Sequence, residues 1–129
     1  MAGVILDTSA VLALLRDEPG AKKVATVLSG SRMSVVNHAE LVSYYAKAGS
    51  DRAAVEGMLR ALPIELVPAD RDLAVAAGLL RAVTAEAGLS LGDRFCLALA
   101  AREGLVALTA DRAWKDVAAA CGVKVTVIR

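Results

Sequence analysis

Short uninterrupted apolar runs alternate along this chain with longer stretches in which apolar residues return every three or four positions. The short runs are rich in β-branched residues and fall at Val4–Leu6, Met33–Val36, Ile64–Val67, Leu105–Leu108 and Val123–Ile128. They are continuous, where a strand with one wet face would alternate. Continuity of this kind predicts parallel strands covered on both faces. The longer stretches are Ala- and Leu-rich and predict helices. Strand and helix in alternation imply βαβ units, whose right-handed crossovers place helices on both sides of an open parallel sheet. The predicted class is α/β, with a central sheet of about five strands. Gly20, Gly49, Gly88, Gly104 and Gly122 fall at the edges of helical stretches, and Pro63 and Pro68 bracket the third strand. With no internal repeat, low-complexity tract or linker, residues 1–129 read as a single domain.

Composition narrows this picture. Of 129 residues, 57% are hydrophobic but only 3% aromatic, so the core is expected to be aliphatic. No segment approaches the roughly 18 uninterrupted apolar residues of a membrane span. The N-terminus has no basic region, and Asp7 interrupts the only early apolar run, which argues against a signal peptide. Cys96 and Cys121 lie in apolar surroundings without metal-ligand spacing, and read as buried thiols of a cytoplasmic protein. The net charge is +1, from 15 basic and 14 acidic residues. That excludes a protein held on nucleic acid by bulk charge alone. It leaves room for a nucleic-acid enzyme whose positive charge at the site comes from bound metal.

Candidate chemistry starts with Asp7, which ends the first apolar run in "GVILDTSAV". Glu40 follows the second run, Asp93 opens the long helix of "LSLGDRFCLALAA", and Asp111 follows the fourth run in "LVALTADRAW". Sites in parallel sheets form beyond the carboxyl ends of strands, where three of these acids are expected. Each acid taken singly is also a plausible cap. Ser90 and Asp93 fit a capping box, Asn37 and Glu40 resemble one, and Asp111 fits an N-cap. If the four converge, they repel one another and cannot all stay ionised without a cation, and a first-turn carboxylate can both cap and bind metal. An oxygen-only cluster without His or Cys suits Mg²⁺ or Mn²⁺ over zinc.

"LDTSAVLALL", Glu40 in "VVNHAEL", "LSLGDRFCLALA" and "LTADRAW" together resemble the PIN-domain family over essentially the whole chain. The closest likeness is to VapC-type toxin ribonucleases of bacterial toxin–antitoxin pairs. The resemblance implies a three-layer α/β/α fold and a metal-dependent endoribonuclease using Mg²⁺ or Mn²⁺. It implies an acidic cluster of Asp7, Glu40, Asp93 and Asp111, with Asp7 and Asp93 as the main metal ligands. Ser9 and Thr109 match hydroxyl positions that help to hold the cluster. It further implies an RNA substrate, a VapB-like antitoxin partner, a homodimer and a hetero-oligomer with the antitoxin, with no membrane association. Many relatives carry another acid two residues after the fourth, where this chain has Ala113, which leaves the number of ions, one or two, open.

Arg94 and Arg112 each follow a cluster acid and are candidate phosphate contacts, with a solvated or salt-bridged side chain as the alternative. His38, the only histidine, reads as a packing residue at a helix start. Trp114 is expected in the core, Lys22 and Lys23 on a solvated face, and Tyr44 and Tyr45 either packed or facing RNA or a partner. Other functional classes remain. "LDTSA" begins like an aspartyl-phosphate hydrolase motif, but Ser9 stands where the second acid belongs. A receiver domain lacks its paired acids. A binding module would use the acids as helix caps only.

Overall fold

The computed structural model describes residues 3–129. Five parallel strands form one sheet: β1 (Val4–Leu6), β2 (Ser31–Ser34), β3 (Ile64–Val67), β4 (Val106–Thr109) and β5 (Val125–Val127), in the order β3-β2-β1-β4-β5. The helices are α1 (Thr8–Leu15), α2 (Ala21–Val27), α3 (Val35–Lys47), α4 (Arg52–Arg60), α5 (Arg71–Leu79), α6 (Arg81–Thr84), α7 (Leu91–Glu103) and α8 (Trp114–Val117). The chain builds outward from β1 through β2 to β3, then crosses back to lay β4 on the other side of β1. The switch point therefore lies between β1 and β4, paired in register as Val4 with Val106, Ile5 with Ala107 and Leu6 with Leu108.

Successive strand residues point to opposite faces, and at the central strands β1 and β4 both faces are packed. Ile5 and Ala107 pack with Leu73, Ala77, Phe95, Leu99 and Trp114 in one core layer, beneath α5, α7 and α8. Leu6 and Leu108 pack with Ala10, Val11, Val24, Leu41 and Val55 in the other, beneath α1 to α4. This is why β1 and the first three residues of β4 are continuously apolar, whereas β2 and the edge strand β3 carry Ser31, Arg32, Ser34 and Glu65. Trp114 and the Cys96 thiol are fully buried, as expected, and Cys121 is buried as well. Among the described residues no helix is long and apolar enough to cross a membrane.

The predicted elements are present with shifted ends. β4 and β5 each differ from the predicted span by one or two residues at their ends. The larger correction is at β2, which ends at Ser34 where the apolar pattern extended it to Val36. Ser34 caps α3 by accepting from the Val36 N–H at 3.1 Å, so Val35 and Val36 turn into the helix despite their β preference. Asn37 and Glu40 consequently lie inside α3 and form no capping box. His38 sits within the same helix, half-buried. The five glycines predicted at helix edges all have positive φ. Gly104 shows the reason, since it ends α7 in the left-handed region at φ 66°, where a side chain would be strained.

Candidate active site

Asp7 is the first residue after β1, and its N–H continues the sheet by donating to the Leu108 carbonyl of β4 at 2.9 Å. The sheet itself thus fixes it at the switch point. Asp7 occupies the N-cap position of α1, yet its carboxylate accepts no helix amide. Asp51 and Asp70 do cap their helices, accepting from Ala54 and Leu73. The Asp7 carboxylate is taken up by hydroxyls instead. Ser9 Oγ donates to Oδ2 at 2.6 Å and Thr109 Oγ1 donates to the same oxygen at 2.9 Å. Those hydroxyls in turn accept from the loop after β4: Ser9 from the Ala110 N–H at 2.9 Å, Thr109 from the Asp111 N–H at 3.1 Å.

Glu40 lies in the second turn of α3, and its hydrogen bonds also gather on one oxygen. Thr8 Oγ1 donates to Oε1 at 2.7 Å and Asn37 Nδ2 at 3.0 Å. Asp93 is in the first turn of α7, where the predicted capping box is present: Ser90 Oγ accepts from the Asp93 N–H, and the Asp93 carboxylate accepts from the Ser90 N–H at 2.8 Å. Asp111 is exposed, and its Oδ1 accepts from the Ala113 N–H at 3.0 Å. That bond closes a turn ahead of α8 and does not cap the helix, whose cap position is Ala113.

The acids feel one another. Burial pushes the Asp7 carboxyl from 3.8 up to about 6; Ser9 opposes the rise, the Asp93 charge adds to it, Thr109 opposes, and Glu40 adds. Two donated hydroxyl bonds would alone favour the carboxylate, so burial and like charge win. The Asp93 carboxyl is also raised, first by burial, against its bonds from Ser90, with Glu40 and Asp111 contributing. Cys96 lies beneath the group: burial pushes its thiol well up, and the charges of Asp7, Asp93 and Glu40 add to that. Asp7, Glu40 and Asp93 are thus an inner set, with Asp111 at its rim. Among the described residues, no three potential ligands close on one point as a ready metal cage.

A family model for the PIN domain matches residues 4–120. The chain belongs to the PIN-domain family. Solved structures agree over the full length of the fold. The DNA-bound VapBC of Salmonella typhimurium superposes with a TM-score of 0.71 at 22% identity, covering 100% of both chains. A toxin–antitoxin complex from Klebsiella pneumoniae gives 0.72 at 20% identity over 98% of each chain. VapC20 of Mycobacterium tuberculosis, a sarcin–ricin-loop-cleaving toxin, gives 0.70 at 17% identity over 89% of this chain and 95% of its own. No curated protein matches by sequence.

In this PIN domain the two candidate arginines part ways. Arg94 is 7% exposed, and its Nη1 donates to the Ala77 carbonyl in the last turn of α5 at 3.2 Å. It anchors α7 to α5 and is withdrawn from solvent, which corrects its expectation as a phosphate contact. Arg112 is exposed, with Nε donating to the Arg129 carbonyl at 3.3 Å, and it remains beside Asp111. Tyr44 and Tyr45 stack edge to face, and Arg16 lies over the Tyr44 ring and donates to its hydroxyl. Three residues of the site were missed in the sequence: Thr8, Asn37 and Gly92. Asn37 was read as a cap because the end of β2 was misplaced. Gly92 carried a signal, being a glycine inside the first turn of a long helix.

Proposed function

We propose that this PIN domain is a metal-dependent endoribonuclease and the toxin of a VapBC-like pair, hydrolysing RNA phosphodiesters at Asp7, Glu40, Asp93 and Asp111. The observation that carries the reading is Asp7: a buried carboxylate at the switch point, capping nothing, held on one oxygen by two hydroxyls and raised to about 6 beside two other acids. A caps-only module has no use for such a group. The aspartyl-phosphate alternative loses ground as well, because Ser9 is committed to orienting Asp7.

The donor set fits a hard divalent cation. It is all oxygen, its members repel, and Mg²⁺ usually takes one or two carboxylates plus waters, so a three-acid cage is not required. Asp7 and Asp93 would be the main ligands of Mg²⁺ or Mn²⁺, with Glu40 and Asp111 completing the set. When bound, the ion would supply Lewis acidity at the phosphodiester and lower the pKa of the attacking water. The chain's own residues do the rest. Ser9 and Thr109 keep Asp7 Oδ2 fixed, which orients the carboxylate that would hold the ion. Thr8 and Asn37 do the same for Glu40 Oε1, leaving Oε2 to orient the attacking water and accept its proton. Arg112, at the rim, is placed to meet a phosphate.

The partner reading draws on the VapBC likeness: an antitoxin of the VapB kind, a homodimer, and a hetero-oligomer of the two in the cytoplasm. The test is cleavage of a structured RNA by purified chain, with Mg²⁺, with Mn²⁺ and in EDTA. Cleavage that needs the ion and is lost in Asp7→Asn is the expected result. Cleavage unchanged by EDTA would overturn the metal role.

A further inference from the structure

Glu40 is placed by residues outside the acid set. Asn37 is fully buried, and its Nδ2 donates both to Glu40 Oε1 and to the Gly92 carbonyl, each at 3.0 Å. The Thr8 hydroxyl that reaches Glu40 also donates to the Asn37 carbonyl at 3.2 Å. Asn37 therefore joins the starts of α1, α3 and α7, its side-chain amide reaching Glu40 and Gly92 and its backbone carbonyl accepting from Thr8.

Gly92 completes the arrangement. It is buried in the first turn of α7, and a Cβ there would overlap both carboxylate oxygens and the Cδ of Glu40. Its φ is not positive, so conformational freedom does not explain the glycine. Two other glycines inside helices, Gly57 in α4 and Gly78 in α5, would meet nothing with an added Cβ. Glycine in a helix interior is less favourable than alanine. At Gly92 that disadvantage coincides with a carboxylate resting on the bare Cα.

We propose that Gly92 and Asn37 are positioning residues for Glu40: Gly92 leaves the space in which the carboxylate lies against α7, and Asn37 fixes one of its oxygens there. The proposal rests on the reading above that these acids serve metal-dependent RNA cleavage. Neither residue touches substrate. Gly92→Ala would push Glu40 out of line with Asp93, while the local helix preference alone would favour the alanine.

A double-mutant cycle of Gly92→Ala with Glu40→Ala tests this, read by thermal melts in EDTA, by Mn²⁺ affinity and by RNA cleavage. In the Glu40→Ala background, Gly92→Ala should raise Tm by roughly 2–5 °C, as expected of a freed helix position. With Glu40 present it should leave Tm unchanged or lower it. It should also weaken Mn²⁺ binding roughly 10-fold or more and lower kcat with little change in KM. Glu40→Asp, one methylene shorter, should recover part of the Mn²⁺ affinity lost in Gly92→Ala. Asn37→Ala should weaken Mn²⁺ binding in the wild-type background and add nothing once Glu40→Ala is present. Equal Tm gains from Gly92→Ala in both backgrounds, with Mn²⁺ affinity intact, would overturn the proposal. Wild-type chain that cleaves no RNA with Mn²⁺ would overturn the ribonuclease reading instead, and the Tm cycle would then decide the positioning claim by itself.

Discussion

At Asp7 a single carboxyl group links stability to chemistry. Folding raises it from 3.8 to about 6, so between those values the folded chain binds a proton that the unfolded chain has released. The Asp7 contribution to metal-free stability is therefore greatest below about pH 4 and falls as pH rises, levelling off above about pH 6. A shift of this size corresponds to roughly 3 kcal/mol. Asp7→Asn keeps the shape and an acceptor for Ser9 and Thr109 but removes the charge. In EDTA at pH 7 the variant should be more stable than wild type by roughly 1–3 kcal/mol, with the gap closing toward about pH 4. Denaturant titrations of both proteins from pH 4 to 8 measure this. A variant less stable than wild type at neutral pH would mean that Asp7 holds the fold together and is not a strained ligand. The place of Asp7, a carboxylate at the end of a buried run, was legible in the sequence. Its two hydroxyl partners were legible only through the family resemblance, since Thr109 is more than a hundred residues away along the chain.

Helix α7 carries a cap and a candidate metal ligand in its first turn, and the two can be separated. Ser90 is the N-cap, while Asp93 returns one bond to the Ser90 N–H and also belongs to the acid set. Ser90→Ala should cost about 0.5–2 kcal/mol of stability and leave Mn²⁺ affinity within a few-fold of wild type. Asp93→Asn should have the opposite profile: a melt close to wild type in EDTA, because a repelled charge is gone, and strongly reduced Mn²⁺ binding. Calorimetric titration with Mn²⁺ beside thermal melts distinguishes them. Wild-type Mn²⁺ affinity in Asp93→Asn would remove Asp93 from the ligand set. The ends of this helix were readable, since its capping box and terminal glycine are local features. The end of β2 was not. Val35 and Val36 carry a strand preference, but Ser34 caps the helix by accepting from the Val36 N–H, and the two valines form the first turn of α3. That displacement hid Asn37 as a buried link between helices. Arg94 was misjudged for a related reason: position after Asp93 suggested solvent, whereas the packing of α7 on α5 buries it.

For the whole molecule, the sheet order matters more than any single element. Parallel strands and helices on both faces follow from the apolar pattern. The order β3-β2-β1-β4-β5 depends on pairings between distant segments, which no local pattern encodes. That order sets Asp7 beside the loop bearing Asp111 and lets α3 and α7 bring in Glu40 and Asp93. With a net charge of only +1, the chain has little bulk attraction for RNA, and the acid set repels phosphate until a cation is bound. RNA affinity should therefore be weak in EDTA and rise with Mg²⁺. Ca²⁺, with its looser geometry, should restore binding more than cleavage. Arg112→Ala should lessen the salt dependence of binding by about one counterion. Fluorescence anisotropy across a salt series reads both effects, and equal affinity with and without metal would move the RNA surface away from Asp7. The most direct test of the central claim is RNA cleavage followed across a Mn²⁺ titration for wild type and Asp7→Asn together. Saturable, ion-dependent cleavage by wild type, with none by a folded Asp7→Asn at any Mn²⁺ concentration, is the predicted result; wild-type rates in Asp7→Asn would contradict it.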